Sequence, residues 1–255
     1  MNASTVFWFS GTGNSLYAAK ELSAAVGANL ARITSAVPSG VFGGDGSKIG
    51  FVFPSYYGNL PRAVREFVGK LDINPETYIF AVVTMGGSGQ GSIAALEEAL
   101  AEKNLKLSYG RGIFMPANYI IMYNPIFFGR AAKAGRKIQK IAEDIKSEKK
   151  LLKKSRVTAD NLYHNIEELD RAFSAGTGCT GCGLCAKLCP VENVRLDSGK
   201  PQWLRHCEHC VACISWCPAQ AIEYGEKTRK RRRYHNPKIK ESEMIRGDWN
   251  YDAKP

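Results

Sequence analysis

The chain has 255 residues, 44% hydrophobic and 23% charged, with a formal net charge of +11. That is enough apolar material for one α/β core plus a small second unit. No uninterrupted apolar run approaches the ~20 residues of a membrane helix, and the N-terminus shows no arginine-rich or long apolar leader, so a soluble, cytoplasmic protein is expected.

The N-terminus reads as strand, loop, helix. Val6 to Phe9 runs into Ser10-Gly11-Thr12-Gly13-Asn14-Ser15, after which Leu16, Ala18, Ala19, Leu22 and Val26 recur at helical spacing. Glycines there let backbone N–H groups turn toward an anion at the helix N-terminus, and the hydroxyls of Ser10, Thr12 and Ser15 add donors. The loop has no lysine, which excludes a Walker A loop, and Leu16 stands where a dinucleotide fingerprint needs its third glycine. A nucleoside triphosphate or NAD is therefore disfavoured. The hydroxyl-rich string resembles the FMN phosphate loop of flavodoxins, and that resemblance makes FMN the expected ligand.

Five strands are expected, near 4–9, 29–34, 48–53, 77–84 and 105–115. Helices are expected over 61–70 and 92–103, where Ala63, Val64, Phe67, Val68 and Ile93, Leu96, Leu100 form apolar faces. The glycine-rich link 39–47 predicts an irregular connection in place of a helix. A doubly wound sheet binds its ligand at the carboxyl ends of its strands. Strand three ends in Pro54-Ser55-Tyr56-Tyr57-Gly58-Asn59, and strand four in Thr84-Met85-Gly86-Gly87-Ser88-Gly89. The first loop offers Tyr56 or Tyr57 as a flat face, with Tyr57 favoured; the second offers bare backbone for the polar edge of a ring. The flavodoxin resemblance, over residues 1–174, implies that both loops flank a flavin and that the strand order is 2-1-3-4-5. Asn118 and Tyr119, past strand five, fit either a cofactor wall or an ordinary turn.

Residues 125–155 predict a long amphipathic helix with Phe127, Ala131, Ala134, Ile138, Ile141, Ile145 and Leu152 on one face. A further helix over 158–173 leads through Ser174 to Gly178 into the next unit. Residues 130–156 and 227–240 each carry a net charge of +8, leaving the remainder acidic. For the first segment a solvated helix face is the favoured reading. For Arg229 to Arg233 a loose tail and a docking site for an acidic redox partner both stand, with nucleic acid disfavoured.

All eight cysteines lie in two runs, Cys179, Cys182, Cys185, Cys189-Pro190 and Cys207, Cys210, Cys213, Cys217-Pro218, with identical spacing 28 positions apart. Each run supplies three thiolates in a tight loop and a fourth whose geometry suits the neighbouring cluster. Structural zinc needs only four ligands and gives no reason for a third equally spaced thiol. Disulfides fit poorly with eight cysteines packed into 39 positions.

Over residues 175–226 the runs resemble the bacterial ferredoxins with two 4Fe-4S clusters. The resemblance implies that Cys179, Cys182, Cys185 and Cys217 hold one cluster and Cys207, Cys210, Cys213 and Cys189 the other. It also implies a small α+β ferredoxin-like domain beside the flavodoxin-like α/β doubly wound five-stranded parallel sheet, with 227–255 as a basic C-terminal tail. His206 and His209 flank the second run as candidate charge modulators or plain exposed residues, and Trp203 and Trp216 as shields against water. As a whole the chain resembles the flavodoxin-ferredoxin fusion proteins of anaerobic microbes. That implies electron transfer between FMN, two clusters and external redox proteins. The alternative is a flavin-dependent reductase whose pocket is lined by Tyr56, Tyr57, Asn118 and Tyr119, and a zinc-dependent nucleic-acid binder is the third.

Overall fold

A computed structural model of the chain describes residues 4–126, 130–153 and 168–245. Five strands, β1 (Thr5–Trp8), β2 (Asn29–Arg32), β3 (Lys48–Pro54), β4 (Tyr78–Met85) and β5 (Leu107–Phe114), pair in parallel in the order β2-β1-β3-β4-β5. This is a flavodoxin-like α/β sheet, as the resemblance implied. Both faces are covered, and the strand residues show why. Val6 and Trp8 enter one apolar core while Phe7 and Phe9 enter the other, so β1 buries every residue by alternation.

Helices α1 (Asn14–Val26), α2 (Arg62–Lys70) and α3 (Gln90–Ala101) are the crossovers. Val64, Phe67 and Val68 of α2 and Leu96 and Leu100 of α3 fill the Phe7 side. The link from β2 to β3 is irregular, as expected, and is held by backbone pairing of Phe42 with Ile73. Gly43 there has φ +79°, and a Cβ on it would collide with the Thr77 side chain.

The long amphipathic segment is shorter than its sequence suggests. Helix α4 spans Arg130–Lys146, with Ala134, Ile138, Ile141 and Ile145 buried on the α1 side and Lys133, Arg136, Lys137 and Lys140 in solvent. The basic face is thus solvated. After α4 the chain turns back, and Leu151 exchanges backbone hydrogen bonds with Ser108 and Gly110 on the outer edge of β5. Leu152 therefore packs with the opposite core, off the helical stripe. Phe127 lies outside the described residues, as does most of the helix expected over 158–173. The described end of that stretch is different: Phe173 begins strand β6 (Phe173–Ala175), where a helix end was expected. Its partner is β9 (Ile222–Tyr224), in an antiparallel pair.

Between these strands lies a small ferredoxin-like region. It holds short helix α5 (Leu184–Leu188), the hairpin β7 (Val194–Asp197) and β8 (Lys200–Trp203), and helix α6 (Ala212–Ser215). It is welded to the sheet. Leu184, Leu188, Cys210 and Trp216 belong to the same core as Val6, Trp8 and α1.

The C-terminal segment docks as well. Arg231 donates to the Ile120 carbonyl (2.7 Å), and Arg233 to the Ile222 carbonyl (3.0 Å) and Glu223 (2.5 Å). Asn236 N–H donates to the Thr12 carbonyl, and Met244, in helix α7 (Glu241–Met244), is fully buried with its carbonyl accepting from Arg32. The described part of the tail is therefore a strap over α1 and its loop. Arg231 and Arg233 thus end on groups of the chain itself.

Candidate cofactor cleft and cysteine cages

The loop after β1 is shaped by contact with the second cysteine run. A Cβ on Gly11 would collide with the Cys210 carbonyl oxygen, so no other residue fits. Trp216 Nε1 donates to the Gly11 carbonyl at 3.0 Å. Gly13 takes φ +87°, and its N–H donates to Ser10 Oγ. The loop then opens into α1, whose first-turn N–H groups have no partner within the helix and carry the positive end of its dipole. Asn118 Nδ2 donates to Thr12 Oγ1 at 2.8 Å, and Ser15 Oγ meets Thr84 Oγ1 at 2.7 Å. Asn14 Oδ1 accepts from Tyr234 and Asn236 of the strap.

These elements enclose a cleft of about 830 Å³, counted to its open mouth. Ser10, Gly11, Thr12, Asn14 and Ser15 line one end; Pro54, Ser55, Tyr56, Tyr57, Thr84, Met85, Gly86, Asn118 and Tyr119 line the sides. The remaining wall is His209, Cys210 and Val211 of the second cysteine run. Among the described residues, no lysine or arginine lines the cleft. An anion there would be held by hydroxyls, backbone N–H groups and a helix terminus alone.

Several residues singled out in the sequence stand just behind this surface. Gly58 (φ 81°) and Tyr57 (φ 54°) form the tip of a tight turn closed by paired Tyr56 and Asn59 backbone bonds. Asn59 Oδ1 is used by the Leu60 N–H. Gly13, Gly87 and Gly89 shape the loops without lining the cleft, and a Cβ on Gly89 would press on Met85. Of the two tyrosines, Tyr56 packs its ring toward Phe9 while Tyr57 stands 42% exposed at the mouth.

A chain of three groups crosses the mouth. Tyr57 and Tyr119 hydroxyls are hydrogen-bonded, and Tyr119 Oη lies 2.7 Å from His209 Nδ1. Burial raises the Tyr57 pKa, with the Tyr119 bond partly opposing it, and raises that of Tyr119 far more. Burial also pushes His209 down to about 4, with the Leu169 backbone limiting the fall. The ring is therefore neutral at ordinary pH. His209 Nε2 is buried without a hydrogen bond of normal geometry.

The cysteines meet crosswise. One cavity is lined by Cys179, Cys182, Cys185 and Cys217, three thiols from the first run and the fourth from the second. Cys189 lies among Cys207, Cys210 and Cys213, close enough that charge on it raises the pKa of all three. Burial is the larger cause: it pushes Cys210 up to about 12, and Cys185 of the first cavity up to about 11. Thiols so buried become ligands only when a metal takes the proton's place. Backbone N–H groups already point at sulfur: Asn193 to Cys189 and His209 to Cys207 at 3.2 Å, Ala221 to Cys217 at 3.4 Å. All eight thiols are free of disulfides. Among the described residues, no three His, Cys, Asp or Glu side chains are set to grip a single ion.

The two loops share one backbone path. Gly181 and Gly183 are left-handed in the first, and His209 (φ 53°) and Val211 (φ 56°), 28 positions later, are left-handed in the second. Glycine takes such angles at no steric cost, whereas a β-branched valine there is a genuine outlier costing about 1–3 kcal/mol. Both strained side chains line the cleft. Aligning the two runs shows the glycines giving way to His209 and Val211, a signal the spacing of the cysteines alone does not carry.

His206 and the tryptophans also find places. His206 sits between the Leu204 and Val191 carbonyls, away from the cleft. Trp203 stacks on Phe173 beside the second run's core, and Trp216 stacks on His235 of the strap.

Residues 178–222 match the family of 4Fe-4S dicluster domains. That match supports 4Fe-4S cluster binding by this segment. No curated protein matches the chain. Two crystal structures are similar: a provisionally named flavoprotein from Bacteroides uniformis (15% identity, 56% of this chain and 99% of that one, TM-score 0.38) and another from Bacteroides eggerthii (22%, 44% and 89%, TM-score 0.35). At those scores neither adds to the fold, which rests on the strand order. No described helix is long and apolar enough to cross a membrane.

Proposed function

We propose that the protein is an electron-transfer iron–sulfur flavoprotein, with FMN in the cleft and two 4Fe-4S clusters in the cysteine cages. In this reading residues 1–174 hold the flavin, 175–226 hold the clusters, and 227–255 begin with the strap that ties them together. FMN exchanges two electrons in single steps and each cubane handles one, so the pair converts between the two modes. Ser10, Thr12, Ser15 and the first turn of α1 would take the phosphate, and Tyr57, Thr84 to Gly86 and Asn118 would flank the ring system. Cys179, Cys182, Cys185 and Cys217 would hold the outer cluster. Cys207, Cys210, Cys213 and Cys189 would hold the inner one.

The observation that carries this reading is the contact of Gly11 with Cys210, because the loop suited to a phosphate and the loop suited to a cluster share a wall. The two ends differ in access. Cys182 is exposed, whereas Cys189, Cys207, Cys210 and Cys213 are buried, so external redox proteins would exchange electrons at the outer cage. Burial, N–H···S bonds and neighbouring charge are the levers these residues have on the potentials.

Rapid mixing of the anaerobic protein with a reduced low-potential ferredoxin tests the order. Iron–sulfur bleaching should precede bleaching of the flavin, and bleaching of the flavin with silent clusters would count against the relay. A second reading, reduction of a small molecule at the flavin, is favoured by one feature: the cleft stays open beside Tyr57 and continues into a further pocket.

A further inference from the structure

Beyond the end of the cleft formed by Tyr57, Tyr119 and His209 lies a second pocket that shares those three residues and adds Tyr224, Lys227 and Arg231. Three tyrosine rings give it flat faces, with Ile121 and the 60% exposed Met122 beside them. Its charges have one sign. Among the described residues, Lys227 and Arg231 line it, no aspartate or glutamate does, and neither cation forms an ion pair. The neighbouring acids are engaged elsewhere, Glu223 with Arg233 and Glu226 with Arg229. Arg231 is aimed by one hydrogen bond, Nη1 to the Ile120 carbonyl, which leaves its other N–H groups for an acceptor. Lys227 Nζ lies 5.9 Å from the centre of the Tyr224 ring.

Tyr57 is held at this mouth against its backbone preference, at φ 54°, and its hydroxyl is tied to Tyr119. A bulky residue keeps such an angle only where its surroundings fix it, and such positions cluster at ligand-binding sites. A planar hydrophobic body between tyrosine rings, with one negative end at two cations, is the complement of this pocket.

We propose that this pocket binds a small aromatic carboxylate, its ring against Tyr57 and Tyr224 and its carboxylate at Lys227 and Arg231. The proposal deepens the second reading above and rests on it for the flavin alongside. It assigns a ligand class and makes no claim about the bond that reacts.

Calorimetric titration of the full chain, purified anaerobically with its own cofactors, tests it with cinnamate as probe and cinnamyl alcohol as the neutral counterpart. Cinnamate should bind at one site per chain and the alcohol at least about tenfold more weakly, since a charge-assisted hydrogen bond is worth about one such factor or more. Lys227→Ala and Arg231→Lys should each weaken cinnamate several-fold, and Arg229→Ala should not. Lys227 is exposed, so its replacement leaves the fold intact even if Arg231 proves structural. No saturable binding of cinnamate, equal binding of the alcohol, or indifference to Lys227→Ala overturns the proposal. Flavin and iron counted on the same sample separate this outcome from failure of the cofactor reading. Binding only of an acidic protein surface, with cinnamate inert, would replace the small molecule with a docking partner.

Discussion

The two cysteine loops have the same spacing and the same backbone path, yet they face different surroundings. The first turns through Gly181 and Gly183 and leaves Cys182 in solvent, while the second turns through His209 and Val211 and is buried against the loop after β1. Glycine would have been the easier residue at 209 and 211. The comparison teaches that the second loop carries an extra task, walling the cleft, and holds side chains there at a cost in backbone strain.

The largest expected difference comes from removing one thiol on each side. Cys182→Ser should lower iron by about four atoms per chain, one cubane, and leave FMN in place. Cys210→Ser should lower iron similarly and release FMN too, because Cys210 is part of the cleft wall. Elemental analysis and flavin absorbance on both variants decide it, and FMN loss from Cys182→Ser would erase the contrast.

Next is the contact itself. Gly11→Ala places a methyl in the Cys210 carbonyl and should cost about 3 kcal/mol in denaturant unfolding, the upper range for overpacking. A shift within error would show that the two loops are not pressed together. Exchanging the turn residues sharpens the same point. Gly183→Val should cost about 1–2 kcal/mol from backbone strain alone. Val211→Gly relieves comparable strain but loses a buried side chain, so its stability should change little while FMN affinity drops.

The smallest effect concerns the strap. Lys20, paired with Glu243, is the first cause holding that carboxyl below its ordinary 4.5. A carboxylate depressed in the fold stabilises it above the unfolded value, and that contribution fades as pH falls through the lower folded value. Glu243→Gln should therefore cost less than about 1 kcal/mol at neutral pH and nothing in acid, measured by thermal unfolding at several pH values.

The cysteine pattern, the five strands and the loops at their ends were legible because each depends on local spacing: thiols at fixed intervals, alternation in Val6 to Phe9, glycines where the chain turns. What the sequence did not show depends on distant partners. Arg231 and Arg233 read as either a loose tail or a docking site, and only the fold reveals that they end on the Ile120 and Ile222 carbonyls. Leu152 continued the stripe of α4, but Leu151 gains two backbone bonds by pairing with β5, which ends the helical path. Phe173 closed a predicted helix, yet its strand partner Tyr224 lies 51 positions away, beyond any periodic signal.

The relay requires both cofactor types in one chain. Metal, sulfide and flavin analysis of anaerobically purified protein tests that most directly, and it should give about eight iron, about eight sulfide and about one FMN per chain, as two cubanes beside one flavin require. Zinc in place of iron, or a full complement of iron with no flavin bound, would contradict it.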